Sequence, residues 1–225
     1  MIYVTGDKHG QIEPFETHAY KRLKKNDMLI ICGDFGFVWD GLAAEQRHLK
    51  WLQKRKYQIA FLDGCYENFS LLSKYPEETY CSGRIRRIAP NIVWLQRGQL
   101  YEIEGKKLLV FGGGSSTVQA EFDDILWRRE AEPQEPQIQS LIDNLKSCDG
   151  VVDAVLTHEP PLSIKSCLDE ETKDYTAIHE LLEELRKHAT FSHWYFGKYH
   201  LDRKIPPSYR AVFNDLVPLG ADEAF

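Results

Sequence analysis

The sequence contains few cysteines and no closely spaced pair of them. Its five cysteines are scattered over 225 residues, and no Cys-x-x-Cys occurs, so we expect reduced thiols in a cytoplasmic protein. No apolar run approaches the length of about 20 residues that a membrane span needs. An excess of positive charge is also lacking, since 34 acidic residues outnumber 28 basic ones and the formal net charge is −6. This disfavours nucleic acid as a ligand of a broad basic surface.

The sequence also lacks internal repeats and low-complexity tracts. Its 43% of hydrophobic and 28% of charged residues argue against disorder, and its length suits one domain. We therefore predict a single domain over 1–225, with an irregular insertion at about 115–136. A Gly-rich stretch at 112–116 opens that segment, whose length is typical of a lid or a partner surface.

Short apolar runs alternate with helical patterns in the first third of the chain. A strand–helix–strand series of this kind predicts parallel strands covered by helices. In the middle of the chain, four runs punctuated by Asn91, Gly98 and Gly105 predict an antiparallel section. The predicted strands are 2–5, 28–32, 59–62, 84–88, 92–95, 100–104, 107–111, 151–156 and 194–196. We also predict helices at about 136–146 and 174–188, and a hairpin of 203–205 with 209–213.

Acidic, His and Gly residues follow five of these predicted strands directly. Each residue alone has an ordinary explanation, since a Gly-Asp is usually a turn and a lone His is usually solvated. Because parallel strands end at one edge of a sheet, the whole ordered series predicts a metal site at that edge. The motifs are Gly6-Asp7-Lys8-His9-Gly10, Gly33-Asp34, Gly64-Cys65-Tyr66-Glu67-Asn68, Thr157-His158 and Gly197-Lys198-Tyr199-His200.

Four of these residues form a candidate metal-ligand set. Asp7 and His9 are two residues apart, so a continuing strand would direct both side chains to one face. Asp34 follows the second strand, where its two carboxylate oxygens can bridge two metals, and His200 follows the last core strand. Mixed oxygen and imidazole ligands suit Mn, Fe, Zn or Ni better than Ca.

The ordered series resembles that of the calcineurin-like metallophosphoesterases. The pattern of that family runs Asp-x-His, Gly-Asp, Gly-Asn-His-Glu/Asp, His and Gly-His-x-His, and the resemblance extends over about 1–213. It implies an α/β fold, a four-layer sandwich of two mixed β-sheets flanked by helices. It also implies a hydrolase, a phosphatase or phosphodiesterase that acts on a phosphate-ester small molecule or a nucleotide with the help of divalent metals.

The resemblance assigns the first metal site in full and the second only in part. It implies that Asp7, His9 and His200 bind the first metal and that Asp34 bridges to the second. His158 matches a ligand of the second metal.

Three positions depart from the family pattern. Cys65 replaces an Asn ligand, Lys198 replaces a His ligand, and Tyr66 replaces the catalytic His that assists the leaving group. A lysine ammonium is not a ligand, but it can hold a phosphate as a point charge. The hydroxyl that Tyr66 offers in place of this His is still a proton donor, but a phenol is a weaker acid than an imidazolium.

Three hypotheses follow from these departures. The first is a phosphoesterase with one tightly held metal, in which Lys198 stands in for the second and Tyr66 acts as the catalytic donor. The second is a catalytically degenerate protein that binds a phosphorylated ligand or a protein partner. The third is a site rebuilt around Cys65, with Asn68 or the 112–116 loop as an additional ligand.

Other features admit less specific interpretations. The apolar loop at 35–39 is interpreted as a hydrophobic plug in preference to a ring-stacking surface. Arginines of the antiparallel section are interpreted as a solvated strand face; they are Arg84, Arg86, Arg87 and Arg97. The remaining histidines are expected on the surface; they are His18, His48, His179, His188 and His193.

Overall fold

The computed structural model describes residues 1–114, 130–168 and 176–221. Within these ranges the strands form two sheets, one of seven strands and one of six. No helix in this part of the chain is long and apolar enough to cross a membrane. The greater part of the predicted insertion, 115–129, lies outside the described residues.

The first sheet has a parallel centre and antiparallel edges. Its strands are β1 (Ile2–Thr5), β2 (Met28–Cys32), β3 (Gln58–Leu62), β4 (Glu77–Tyr80), β5 (Gly83–Ala89), β6 (Ile92–Leu95) and β13 (Val217–Pro218). Their order is β13-β1-β2-β3-β6-β5-β4, and β1, β2, β3 and β6 run parallel. The two ends, β13 and β5-β4, pair antiparallel.

The second sheet is mixed in the same way. Its strands are β7 (Gln99–Ile103), β8 (Lys106–Phe111), β9 (Val151–Thr157), β10 (Thr190–Phe196), β11 (Arg203–Ile205) and β12 (Tyr209–Ala211). Their order is β11-β12-β10-β9-β8-β7, with β8, β9, β10 and β12 parallel. The hairpin of β11 and β12 pairs antiparallel, as the sequence predicts.

Helices follow most of the parallel strands. A 3₁₀ turn at Glu13–Glu16 precedes α1 (His18–Lys21), and the other helices are α2 (Ala43–Gln53), α3 (Phe69–Leu72), α4 (Glu135–Ser147), α5 (Leu162–Leu168) and α6 (Ala177–His188). The segment between β1 and β2 therefore forms two short helical pieces. The predicted start of α6 near residue 174 lies outside the described ranges.

Three apolar layers separate the elements and fix the architecture. Because side chains alternate along a strand, β2 directs Ile30 to the layer between the sheets and Leu29 to the layer under α2. In the second sheet, β9 directs Leu156 inward, while Val155 packs under α6 against Leu182. Helix, sheet, sheet and helix thus form four layers, which confirms the predicted α/β sandwich.

The arginines of the antiparallel section do not all lie in solvent. Arg97 is 4% exposed and donates from Nε to the fully buried Asp63 at 2.7 Å, so its assignment to a solvated face is wrong. Arg84 is exposed, whereas Arg86 and Arg87 are half-buried and pair with carboxylates of β4. A buried charge needs a partner, and Asp63 supplies it to Arg97.

Asn68 stabilises the start of α3 and the loop that follows β2. Its Oδ1 accepts from the backbone N–H of Leu71 at 2.9 Å, and its Nδ2 donates to the carbonyl of Trp39 at 2.6 Å. Loss of a capping side chain costs about 0.5–2 kcal/mol, so Asn68→Ala should lower the free energy of unfolding by that amount in urea denaturation. The exposed Asn214 is the control, since Asn214→Ala should change stability by less than about 0.5 kcal/mol.

Candidate metal centre

The motif residues meet where the parallel strands of both sheets end. Asp7 and His9 follow β1, Asp34 follows β2, and Cys65 follows β3, all in the first sheet. His158 follows β9, and Lys198 and His200 follow β10, in the second sheet. Side chains that lie far apart in sequence are thereby brought to one rim.

A first group of potential ligands consists of Asp7, His9 and His200. Their ligand atoms lie within 4.8 Å of one another. Nε2 of His200 lies 3.1 Å from Oδ2 of Asp7 and 2.9 Å from Nε2 of His9. Asp7 is buried and the two histidines are exposed, so the group is open to solvent on its imidazole side.

A second group consists of Asp34, Cys65 and His158, all of them buried. Oδ1 of Asp34 lies 3.8 Å from Nε2 of His158, and its Oδ2 lies 3.9 Å from Sγ of Cys65. Nε2 of His158 is buried and has no hydrogen-bond partner among the residues described. A buried unsatisfied nitrogen calls for an explanation such as an ion, so this group also fits a metal.

Asp34 lies between the two groups. Besides its approach to His158, its Oδ2 is 3.9 Å from Nδ1 of His9, and its Oδ1 accepts from the backbone N–H of Tyr66 at 3.0 Å. Its φ of +41° is a backbone conformation that few residues other than Gly adopt. His9, Lys198 and His200 also have positive φ, and such strain is concentrated at functional sites.

Two glycines allow the side chains to approach one another this closely. A Cβ on Gly64 would lie 1.9 Å from Oδ1 of Asp34, and a Cβ on Gly33 would lie 1.9 Å from Nδ1 of His158. Any larger residue at either position would displace a potential ligand. Gly33 and Gly64 are therefore part of the site.

The electrostatics of the centre couple its carboxylates to its imidazoles. Burial opposes ionisation of Asp7, but His158 and His200 outweigh it and hold the pKa of the Asp7 carboxyl below its usual value. Burial likewise opposes charge on His158, yet Asp34 and Asp7 raise its pKa well above the ordinary value. The fixed negative charge of the two carboxylates thus attracts a cation to the rim.

Lys198 places a positive charge beside the second group. Its Nζ lies 2.9 Å from Sγ of Cys65 and 3.6 Å from Oε1 of Glu159, while its backbone N–H donates to Asp7 at 3.1 Å. Burial disfavours its charge, but Cys65 and Glu159 outweigh burial and raise the pKa of the ammonium. Lys198 is therefore held as a cation within the centre.

Glu159 is supported by a histidine that sequence reasoning placed on the surface. His179 is 2% exposed, and its Nε2 lies 3.3 Å from Oε2 of Glu159. Nδ1 of His179 lies 2.8 Å from the hydroxyl of Thr176, which begins α6. The surface assignment of His179 is wrong because an acidic partner twenty residues away cannot be identified from local spacing. His18, His48 and His188 are exposed, as predicted.

Lys8, between two potential ligands, is a functional candidate that the sequence reasoning missed. Its buried Nζ donates to the carbonyl of Phe213 at 2.7 Å and to Oγ1 of Thr5 at 3.0 Å. Burial lowers its pKa to about 8. The Phe213 ring stacks on His200 at 4.6 Å, so Lys8 fixes the segment that supports this imidazole. The only local signal was its position between Asp7 and His9 in the first motif.

The other residues of the third motif have structural partners. Asn68 caps α3, as described above, and is not directed at the second group. Glu67 is fully buried and accepts from the backbone N–H of Phe35; burial and Asp34 raise the pKa of its carboxyl. Tyr66 is half-buried, with its ring 5.9 Å from Nζ of Lys198.

The loop that follows Asp34 is mainly a plug. Phe35 and Phe37 are fully buried, and Phe35 stacks on Phe61 of β3 with ring centroids 4.1 Å apart, as the sequence interpretation expects. Trp39 is half-buried. In the Gly-rich stretch, a Cβ on Gly114 would lie 2.9 Å from Glu159, which places this glycine against the centre, while 115 and 116 lie beyond the described part.

A four-layer sandwich with Asp and His ligands on a shared rim defines a class of metal-dependent hydrolases. Comparison with protein-family models gives a match to the calcineurin-like phosphoesterases over residues 1–202. The chain belongs to that family, and this membership indicates metal-dependent hydrolysis of phosphate esters. None of the curated proteins compared with the chain matches it at a significant level.

Proposed function

We propose that the chain is a phosphoesterase in which a single divalent metal and the Lys198 ammonium share the work of two metals. Asp7, His9, Asp34 and His200 would hold the metal, which would be Mn, Fe, Zn or Ni. The observation that carries the proposal is the position of Lys198, whose Nζ lies 2.9 Å from Cys65 at the edge of the second ligand group. A cation there replaces the charge of a second metal.

The residues of the centre then have distinct tasks. Asp7, His9, Asp34 and His200 would hold the metal, which when bound would supply polarisation of a phosphoryl oxygen and a lowered pKa for a water molecule. Lys198 binds a second phosphoryl oxygen and neutralises charge that develops on it. Tyr66 donates its phenolic proton towards the leaving oxygen, and its backbone N–H, 3.0 Å from Oδ1, keeps Asp34 in position.

Glu159 holds Lys198 in position. Its two carboxylate oxygens approach Lys198 at 3.6 Å and His179 at 3.3 Å. A carboxylate that is shared between two basic groups restricts the lysine to one orientation, as outer residues do for metal ligands. Burial opposes its charge, but His179 and Lys198 lower the pKa of Glu159, so it remains an anion that can hold Lys198.

The same replacements support a second candidate, a protein that binds a phosphorylated ligand without hydrolysing it. A tyrosine is a weaker acid than the histidine it replaces, and Cys65 with His158 is a poor ligand pair for a hard metal. In that case Lys198 would serve for binding alone. The two candidates differ in whether a metal-loaded protein turns over a phosphate ester.

Metal content is the first test of the proposal. The protein is loaded with Mn, desalted and measured by elemental mass spectrometry, and we expect about one metal per chain at a site of this type. His200→Gln should reduce the content to near zero, whereas His188→Gln, on the exposed end of α6, should leave it unchanged. Two metals per chain would mean that Cys65 completes a second site, and none would favour the binding protein.

A further inference from the structure

A cavity of about 420 Å³ opens beside the metal centre. His9 of the metal centre and Tyr66 of the third motif line it, together with Phe37, Trp39 and His48. Its volume is within the range of small-molecule sites, about 300–1,000 Å³. We call this cavity the ring pocket. A larger cavity of about 700 Å³ between α4 and α6 includes no residue of the metal centre.

Hydrogen bonds to the backbone of residues 39–41 hold Trp39 of the ring pocket in place. The carboxylate of Glu45 accepts from the N–H groups of Trp39, Asp40 and Gly41, at 2.8 Å for Asp40 and 3.2 Å for Gly41. Asn68 donates to the carbonyl of Trp39 at 2.6 Å. The backbone N–H and carbonyl of Trp39 are therefore both hydrogen-bonded before any ligand binds. This preorganisation lowers the entropic cost of binding.

The charge of the ring pocket restricts what it can bind. The described residues that line it include two carboxylates, Asp40 and Glu45, and no lysine or arginine. A negatively charged group would meet these two carboxylates without a lysine or arginine among the described lining residues to pair with. The basic group of the centre, Lys198, is not among the lining residues, and its Nζ lies 5.9 Å from the centroid of the Tyr66 ring.

We propose that the ring pocket binds an uncharged planar ring carried by the leaving group of the substrate. This inference rests on the proposed phosphoesterase function and adds to it the class of ester. The ring stacks between Trp39 and Tyr66 while the phosphate lies at the metal centre. Phosphate esters of uncharged aromatic or heteroaromatic alcohols fit, including those of nucleosides, and esters with a second anionic group near the ring do not.

Three synthetic esters test the inference on the intact protein. Benzyl phosphate and n-butyl phosphate have leaving alcohols of similar acidity, and only the first has a ring. 4-Carboxybenzyl phosphate adds a negative charge to that ring. Stacking of an aromatic pair contributes enough for a preference of about tenfold, so kcat/KM for benzyl phosphate should exceed that for butyl phosphate by about this factor. The carboxylated ester should be about tenfold poorer than benzyl phosphate.

Two variants assign these preferences to the pocket. Trp39→Ala should reduce the ratio of benzyl to butyl phosphate to near unity, while Trp51→Ala, a half-buried tryptophan of α2 outside the pocket, should not change it. Asp40→Asn keeps an acceptor for the N–H of Leu42 and should improve turnover of the carboxylated ester several-fold. Asp143→Asn, an exposed carboxylate on α4 that does not line the pocket, is its control.

Binding measurements separate this inference from the proposed function. Calorimetry with benzyl phosphonate and butyl phosphonate, which are not hydrolysed, reports the ring preference even if the protein has no activity. A tenfold preference for benzyl phosphonate that is lost in Trp39→Ala supports the ring pocket whether or not hydrolysis occurs. Equal affinities of the two phosphonates, or equal kcat/KM values for benzyl phosphate and butyl phosphate, would overturn it and leave the phosphoesterase proposal intact.

Discussion

Replacement of Asp34 by Asn is expected to abolish metal retention and to lower phosphoester hydrolysis by about 10³-fold, the upper end of what loss of one electrostatic contributor costs. Asp34 lies between both ligand groups, 3.9 Å from His9 and 3.8 Å from His158. An amide has nearly the same shape but carries no charge and offers one oxygen in place of two. The metal therefore loses a charged ligand that lies between the two groups.

Backbone strain does not explain the expected loss, because Asn tolerates the positive φ of Asp34. Urea denaturation should confirm that the variant folds, and metal content and kcat/KM are then measured together. Asp143→Asn, an exposed position on α4, is the matched control and should retain both. Normal metal content in Asp34→Asn would show that Asp34 is not a ligand and would contradict the assignment of the centre.

Much of the fold could be predicted because buried strands produce continuous apolar runs. β2 and β6 lie where the pattern placed them, since each is buried along its whole length. The edge strand β4 was missed because Glu77–Tyr80 alternates between exposed and half-buried positions and carries two glutamates. Its pairing depends on Arg86 and Arg87 of β5, which no local pattern in β4 reveals.

The sequence was sufficient to predict the candidate ligands of the site, but not the contacts between its side chains. Order and strand-end position place Asp7, His9, Asp34 and His200 on one rim without knowledge of the tertiary structure. The contact of Lys198 with Cys65, 133 residues away, depends on how the two sheets face each other. The hydrogen bond from Lys8 to Phe213 joins residues 205 apart. Such pairs become visible only when the sandwich has been assembled.

The second prediction with a large expected effect concerns the ammonium of Lys198, which contacts Cys65. Lys198→Met, which keeps most of the side-chain volume and removes the ammonium, is expected to lower kcat by about 10²–10³-fold, as loss of one preorganised charge does. The metal content should stay near one per chain, because the first ligand group does not include Lys198. Glu159 keeps His179 as a partner at 3.3 Å, so the fold should survive the change.

Lys198→Arg is the matched control for charge. It retains a cation that can bind phosphate, so it should recover part of the lost kcat, and recovery would show that charge is the contribution of this residue. Unchanged kcat in Lys198→Met would contradict the single-metal proposal.

The reverse test restores the family residues with Lys198→His, Cys65→Asn and Tyr66→His. If the protein is an enzyme built around the lysine, this variant should lose activity; activity that arises from none would instead identify the natural chain as a binding protein.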